Sequence, residues 1–304
     1  LPVVNDKETI MEVGQMYMWN YAGLPTTDGQ TDAGACPSQE LLDAYEVVNG
    51  DMTESYPLLN LESPYLDANH LQPNLNSAVE GLYNRAKPYE NRDPRLDYTI
   101  YYNGATFMGT EYRMSPDYEA SKKERLDYSS EVSKTGFMWR KYFDENPIND
   151  LNSYSAVTPV IRYAEVLLSY LECLIESGQA IDQTVLNLTI NQVRGRADVK
   201  MPPVTETNSD KLRELLRNER RVELAFEGIR YWDLLRWKLA ETVLVGEVWG
   251  APYPKSTTYA GSTKFVDPTG HCRWYVGRRD FRNPQDYKWP IPLSEQNINP
   301  NLRE

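Results

Sequence analysis

The run NERRVELAFEGIRYWDLLRWKLAE, residues 218–241, places three glutamates, Glu219, Glu223 and Glu227, four residues apart on an apolar background. In a helix that spacing gathers the carboxylates on one side. Leu212, Leu215, Leu216, Val222 and Phe226 mark the same side as the inward one. A carboxylate turned toward a core is costly unless it is paired and hydrogen-bonded. The fold must therefore bring cations to this stripe, and Arg162, Arg194, Arg220, Arg230 and Arg236 are the candidates. We read Glu219, Glu223, Arg162, Arg220, Arg230 and Arg236 as a structural ion-pair network that orients two helices, with Trp232 and Trp237 packed around it. Glutamates at this spacing also meet the separation a glycosidase needs. Neighbouring guanidinium groups, however, lower a carboxylate pKa and oppose a general acid. They compete equally with a metal cation. The expectation is scaffold, with no catalytic residue, no cofactor and no metal.

With 304 residues the chain is long enough for one large domain or two smaller ones. No apolar run approaches the ~18 residues that would span a bilayer. The net charge of −12 argues against nucleic acid and anionic lipid as partners. It also disfavours strongly anionic ligands unless a local basic pocket overrides it. Cys36, Cys173 and Cys272 lie far apart, no CxxC occurs, and His70 and His271 are the two histidines, which argues against structural zinc. Cys173 falls inside an apolar helical pattern and is expected as a buried thiol. Tyrosine is over-used, with 22 Tyr and 7 Trp against 6 Phe. Such side chains suit either amphipathic ligands or loops pinned by hydroxyls.

Along the chain, residues 1–13 read as a short apolar strand and 14–37 as loop. SQELLDAYEVVNG reads as a short helix ended by Asn49-Gly50. LDYTIYYNG (96–104) alternates as a strand closed by Asn103-Gly104, with GFMWRKYFDE (136–145) as its partner. PVIRYAEVLLSYLECLIESG (159–178) carries two apolar stripes, one through Val160, Ala164, Leu167, Leu168, Leu171 and Leu174, the other through Tyr163, Val166, Tyr170 and Cys173. A helix with two such stripes packs on two sides. With a second helix over 181–199 it forms an antiparallel hairpin. The fold class expected is mainly α: a tetratricopeptide-like helix hairpin packed with an irregular loop-rich region and a few short strands. Its parts are an irregular, ligand-side region with short strands (1–158), a helical scaffold (159–241: hairpin 159–199, helices 209–227 and 230–241 with Gly228 between them), and an irregular C-terminal region (242–304).

The motifs then carry a resemblance. NERRVELAFEGIRYWDLLRWK, PVIRYAEVLLSYLECLIESG with INQVRGRADV, NRDPRL followed by YYNG, CPSQELLDAYEVVNG and the ending KWPIPLSEQNINPNL resemble the SusD/RagB family, in the family's order and over about residues 8–302. The resemblance implies a cell-surface lipoprotein of the outer membrane, without catalytic activity. It would capture oligosaccharides for a partner TonB-dependent transporter of the SusC type. Membrane contact would be through a lipid anchor not in this chain. A peptide-binding member, or a module that contacts the transporter and holds no ligand itself, is the alternative. Members are commonly much longer, and their N-terminal half has no counterpart here. Helix 159–178 is therefore expected to pack on helices outside this sequence.

Ligand contacts in the family come from variable loops, so no binding residue carries over. Sugar binding calls for an aromatic face against a pyranose and polar groups for its hydroxyls. On that chemistry the candidates are Tyr17, Trp19 and Tyr21, then Tyr56 and Tyr65 with Asp67 and Asn69. Trp249, Trp274 and Tyr275 follow.

Overall fold

The computed structural model describes residues 8–16, 36–107, 110–111, 133, 135–142, 156–254, 265–266, 271–288 and 291–302. Strand β1 (Thr9–Met16) is followed by helix α1 (Gln39–Ala44) and a small hairpin, β2 (Val47–Val48) with β3 (Ser55–Tyr56). Asn49 and Gly50 therefore belong to the hairpin turn, and α1 stops earlier, at Tyr45. Next come α2 (Arg95–Thr99), β4 (Ile100–Tyr101), β5 (Thr106–Phe107), β6 (Thr110–Glu111) and β7 (Met138–Trp139). Strand β4 does pair with β7. The first four residues of the expected strand over 96–104 belong to the short helix α2, because Asp93 accepts the Arg95 N–H at 2.9 Å and starts a helical turn after Pro94.

The helical part opens with a strand. β8 (Ala156–Arg162) pairs antiparallel with β1, so the helix expected from residue 159 begins only at Tyr163. Val157, Thr158, Val160 and Ile161 are β-branched and favour the extended chain. Helix α3 (Tyr163–Glu176) then ends on Gly178, whose φ of +69° suits glycine. The helix expected over 181–199 is split into α4 (Gln183–Leu188) and α5 (Ile190–Arg194). The Thr189 hydroxyl donates to the Val185 carbonyl at 2.7 Å, and Thr189 leaves helical geometry. Helix α6 (Ser209–Glu223) is capped by Asn208, whose side chain accepts from the N–H groups of Asp210 and Lys211. It ends four residues before the expected 227, since Phe226 and Gly228 both take positive φ. Helix α7 (Ile229–Arg236) ends before Lys238, at φ +57°, and α8 (Ala240–Val243) follows. The supposedly irregular C-terminal region holds a three-stranded antiparallel sheet in the order β10 (Phe265–Val266), β11 (His271–Arg279), β9 (Gly246–Pro254). Two register shifts between β11 and β9 break the period of two that would have shown it. A short helix, α9 (Leu293–Ile298), precedes the C-terminus.

Helix α6 serves two cores. Leu212 and Leu216 pack with Leu168, Leu171, Leu186 and Ile190 of the helical hairpin. Val222 packs with Tyr45, Leu96, Tyr101 and Phe137. Only one stripe of α3 is covered. Tyr163, Val166 and Tyr170 are exposed, and so is the Cys173 thiol that was expected in a core.

Between the two cores lies the ion-pair brace. Glu219 is 3% exposed and bonds Arg95 at 2.5 Å and Arg194 at 2.8 Å. Glu223 takes Arg95 and Arg162, each at 3.0 Å, and Arg196 at 2.7 Å. Glu227, beyond the helix end, holds Lys141 and Arg162, while the Lys141 ammonium also donates to the Glu223 and Ala225 carbonyls. A second cluster ties α6 to α7 and α3: Arg220 pairs with Asp233, and Arg236 with Asp233 and Glu172. The Trp237 indole N–H also donates to Glu172, whereas Trp232 is exposed and packs around neither cluster. Arg230 does not join the brace, because the turn at Phe226–Gly228 points the start of α7 elsewhere.

Burial alone would raise the Glu223 pKa, but Arg95, Arg196, Arg162 and Lys141 outweigh it and hold the group at about 2. Removing one partner leaves buried charge uncompensated. Glu219→Ala should therefore cost about 3–5 kcal/mol in urea unfolding; a loss of about 1 kcal/mol or less would mark the brace as a solvated pair. The unfolded Glu223 carboxylate protonates near 4.5 and the folded one near 2. Between those values the unfolded chain binds more protons, so this contribution is present above pH 4.5 and is lost as pH falls toward 2. In Glu223→Gln the acid-side fall of thermal stability should flatten over that window.

Candidate functional site

Opposite the brace, α6 presents a second charged stripe. Arg213, Arg217 and Arg221 recur every four residues. Arg217 and Arg221 each lie two residues from Glu219, which is about 200° around a helix. The same roll that buries Glu219 therefore turns these arginines outward. They form one wall of a cavity of about 760 Å³. A second wall is α1, through Glu40, Asp43 and Ala44; a third is the excursion from Pro57 to His70; and Arg230, Leu239, Thr242 and Val243 close it from α7 and α8. The Asn218 amide donates to the Ala44 carbonyl at 2.8 Å and locks the first two walls together.

The excursion has little regular structure, and side-chain-to-backbone bonds hold it. The Asp67 carboxylate accepts the N–H groups of Asn69, Leu71 and Gln72 at 2.9, 3.0 and 2.8 Å. Leu59 bridges to Leu75, and Tyr65 to Pro73. The loop tip is fastened to β9, where the Glu247 N–H donates to the Asn69 carbonyl at 3.0 Å. Gly246 permits that approach: its φ is +80°, and a Cβ there would sit 3.0 Å from the Asn69 carbonyl carbon.

Inside the cavity the Tyr65 ring stacks on His70 at 4.3 Å between centroids. His70 Nδ1 lies 3.1 Å from Glu40, which also accepts from Arg279. Burial would raise the Glu40 pKa, but the His70 hydrogen bond and the charges of Arg279 and Arg221 hold it below the usual carboxylate value. Burial, with Glu40 and Asp43 nearby, raises the Tyr65 phenol well above its ordinary value, so it keeps its proton and can donate. Arg213 is paired with Glu176 and Asp210, and Arg217 with Glu214. Arg221 and Arg230 are neither hydrogen-bonded nor ion-paired to any other described residue. Burial and the neighbouring Arg221 charge pull Arg230 down to about 9, which leaves it cationic at neutral pH.

Of the residues singled out in the sequence, Tyr65 and Asp67 line this cavity. Asp67 spends its carboxylate on the loop's own amides, and Asn69 fastens the loop tip. Tyr56 lies apart, packed against Val47, Leu58 and Val79, with its hydroxyl on Glu54. Trp249 is 1% exposed and belongs to the interior, with Tyr275 edge-on at 5.9 Å; neither lines the cavity. Trp274 lies on β11, but its side chain is outside the described residues, as are Tyr17, Trp19 and Tyr21. The sequence reading missed Arg221, Glu40 and His70 as wall residues and placed Arg230 in the brace. For Arg221 a signal existed in its spacing from Arg217 and its opposition to Glu219.

Comparisons with known proteins agree on the family. The model of the SusD family matches residues 5–304. A solved SusD-like carbohydrate-binding protein of Bacteroides fragilis NCTC 9343 is 54% identical with a TM-score of 0.80, over 98% of this chain and 55% of that one. Another SusD-like protein of the same organism shares the fold at 24% identity and a TM-score of 0.65, over 97% of this chain and 53% of that one. The SusD-like protein P38 of Formosa agariphila is 35% identical over 92 residues, 28% of this chain and 18% of that protein. This chain thus spans little more than half the length of the two structures it matches.

Asp67→Ala removes one acceptor from three amides at once. Hydrogen exchange at Asn69, Leu71 and Gln72 should quicken, with a local loss of about 1–3 kcal/mol; unchanged protection would show that the bridges alone hold the loop.

Proposed function

The chain belongs to the SusD family, and on that premise we propose that it is a non-catalytic glycan-binding protein that captures oligosaccharides at the cell surface for a TonB-dependent outer-membrane transporter of the SusC type. The observation that supports this most is the cavity of about 760 Å³, built by a pinned loop and furnished with one aromatic ring and several guanidinium groups. Such a volume suits a small ligand. Tyr65 offers a ring edge and a phenol donor, and Leu59 and Leu61 add apolar surface. The brace glutamates support the non-catalytic reading: Glu223 at a pKa of about 2 stays ionised and has no proton to give a leaving group. Among the described residues no helix is long and apolar enough to cross a membrane.

Isothermal titration calorimetry against a panel of plant, algal and host oligosaccharides tests the proposal. Binding to at least one glycan is expected, with Tyr65→Ala weakening it about tenfold, some 1.4 kcal/mol. Binding of peptides alone would favour the peptide-binding reading.

The uncovered stripe of α3 supports a second proposal. Tyr163, Val166, Tyr170 and Cys173 are the surface on which we place helices from the part of the family fold that this chain does not span. Mass-spectrometric thiol labelling should modify Cys173 readily in this chain and slowly in one of the relatives' full length. Equal labelling in both would leave the stripe free.

A further inference from the structure

Two cations line the cavity without a hydrogen-bonded or ion-paired carboxylate among the described residues, in a chain whose net charge is −12. The other charges on the cavity wall are almost all engaged. Glu40 is held by His70 and Arg279, Asp43 accepts from Gln39, and Asp67 is bonded to loop amides. Arg213 and Arg217 have their own carboxylates. Arg221 comes from the outward stripe of α6 and Arg230 from the first turn of α7, so separate elements deliver two guanidinium groups to one space. Among the described residues Arg230 makes a ring contact with Trp237, 6.0 Å away. Two like charges brought together in a half-buried space repel, and the acids that partly offset them, Glu40 for both and Asp233 for Arg230, act without a hydrogen bond or ion pair to either guanidinium. An acid with several oxygens relieves that repulsion by accepting from both forks at once.

We propose that this cavity holds an anionic sugar, a glycan unit bearing a uronate carboxylate or a sulfate ester, with the acid group between Arg221 and Arg230 and the sugar ring near Tyr65. The proposal rests on the glycan-binding reading and narrows it to a substrate class. It also gives the acidic chain a local exception to its global charge. Arg230 stays protonated at neutral pH, as an anion receptor must: burial first and the Arg221 charge second bring it to about 9, and a bound acid would offset the second of these. Carboxylate and sulfate share this chemistry and differ in reach and charge spread, so the probes separate them.

The test is calorimetry on the full-length protein with two matched pairs: oligogalacturonate beside its methyl ester, and a sulfated oligogalactan beside its desulfated form. The acid or sulfated member of at least one pair should bind about tenfold or more tightly than its neutral partner, and the preference should shrink with added salt. The pair that shows the preference identifies the acid. Arg221→Gln and Arg230→Gln, neither of which disturbs the brace, should each reduce the preference, and the double variant should abolish it. Equal binding of charged and neutral members would overturn the anionic inference and leave glycan binding standing. A preference that survives in the folded double variant would overturn it as well. Failure of every glycan, neutral ones included, to bind would remove the underlying reading instead. The matched pairs need only the unaltered protein, so their outcome stands whether or not the variants fold.

Discussion

Arg95 is the group on which the arrangement depends. Its guanidinium reaches Asp93, Glu219 and Glu223, and so joins a short helix near residue 95 to a long one more than 120 residues later. Arg194 adds Glu46, and Arg162 adds Glu8 and Glu227. Buried ion pairs of this kind often give little net stability against an apolar substitute, because desolvation offsets the Coulomb gain. What they supply is intolerance of misplacement. A helix packed only through leucines can roll by a few tens of degrees and keep most of its contacts. Once Glu219 and Glu223 are inside, α6 cannot roll without stranding a charge. The brace thus fixes which residues face the other way, and those are Arg213, Arg217 and Arg221 of the cavity wall.

Much of this scaffold was legible. The spacing of Glu219 and Glu223 on an apolar stripe required cations, Gly178 marked a real helix end, and Gly228 a real break, although the helix before it stops at Glu223. The partners were less legible. Arg95 sits in NRDPRL, which reads locally as a turn, and nothing within ten residues shows that its side chain crosses to a helix far along the chain. Arg230 looked like a brace member because it is close in sequence. The positive φ of Phe226, a residue with no special claim to it, sends it to the cavity instead. The C-terminal sheet escaped notice for a similar reason: its bulges erase alternation, leaving only Gly, Pro and aromatics to read.

The candidate site was harder still, because the residues that bind sugars also build irregular loops. Asp67 organises three amides, Tyr56 fills a small core and Trp249 sits in the interior. Each has the composition of a binding residue and a structural task. In regular elements periodicity separates buried from exposed positions, whereas in a loop held by Asx-type bonds no period exists to do so. Tyr65 escaped that fate because His70 occupies one face of its ring while the tyrosine still borders the cavity.

The arginines invert the usual inference from charge. A net charge of −12 turns attention away from anions, yet what distinguishes two sites in this chain is pairing rather than count. In the brace every guanidinium meets a carboxylate, and the result is rigid and chemically inert. In the cavity Glu40, Asp43 and Asp67 are tied to other partners, and Arg221 and Arg230 have no hydrogen bond or ion pair among the described residues. Keeping two such groups close costs free energy that a neutral pair of side chains would not, and strain of that kind collects where a ligand can relieve it. Helix α6 thus carries the brace glutamates on one face and Arg221 on the other, the paired face setting the geometry in which the unpaired arginine is presented.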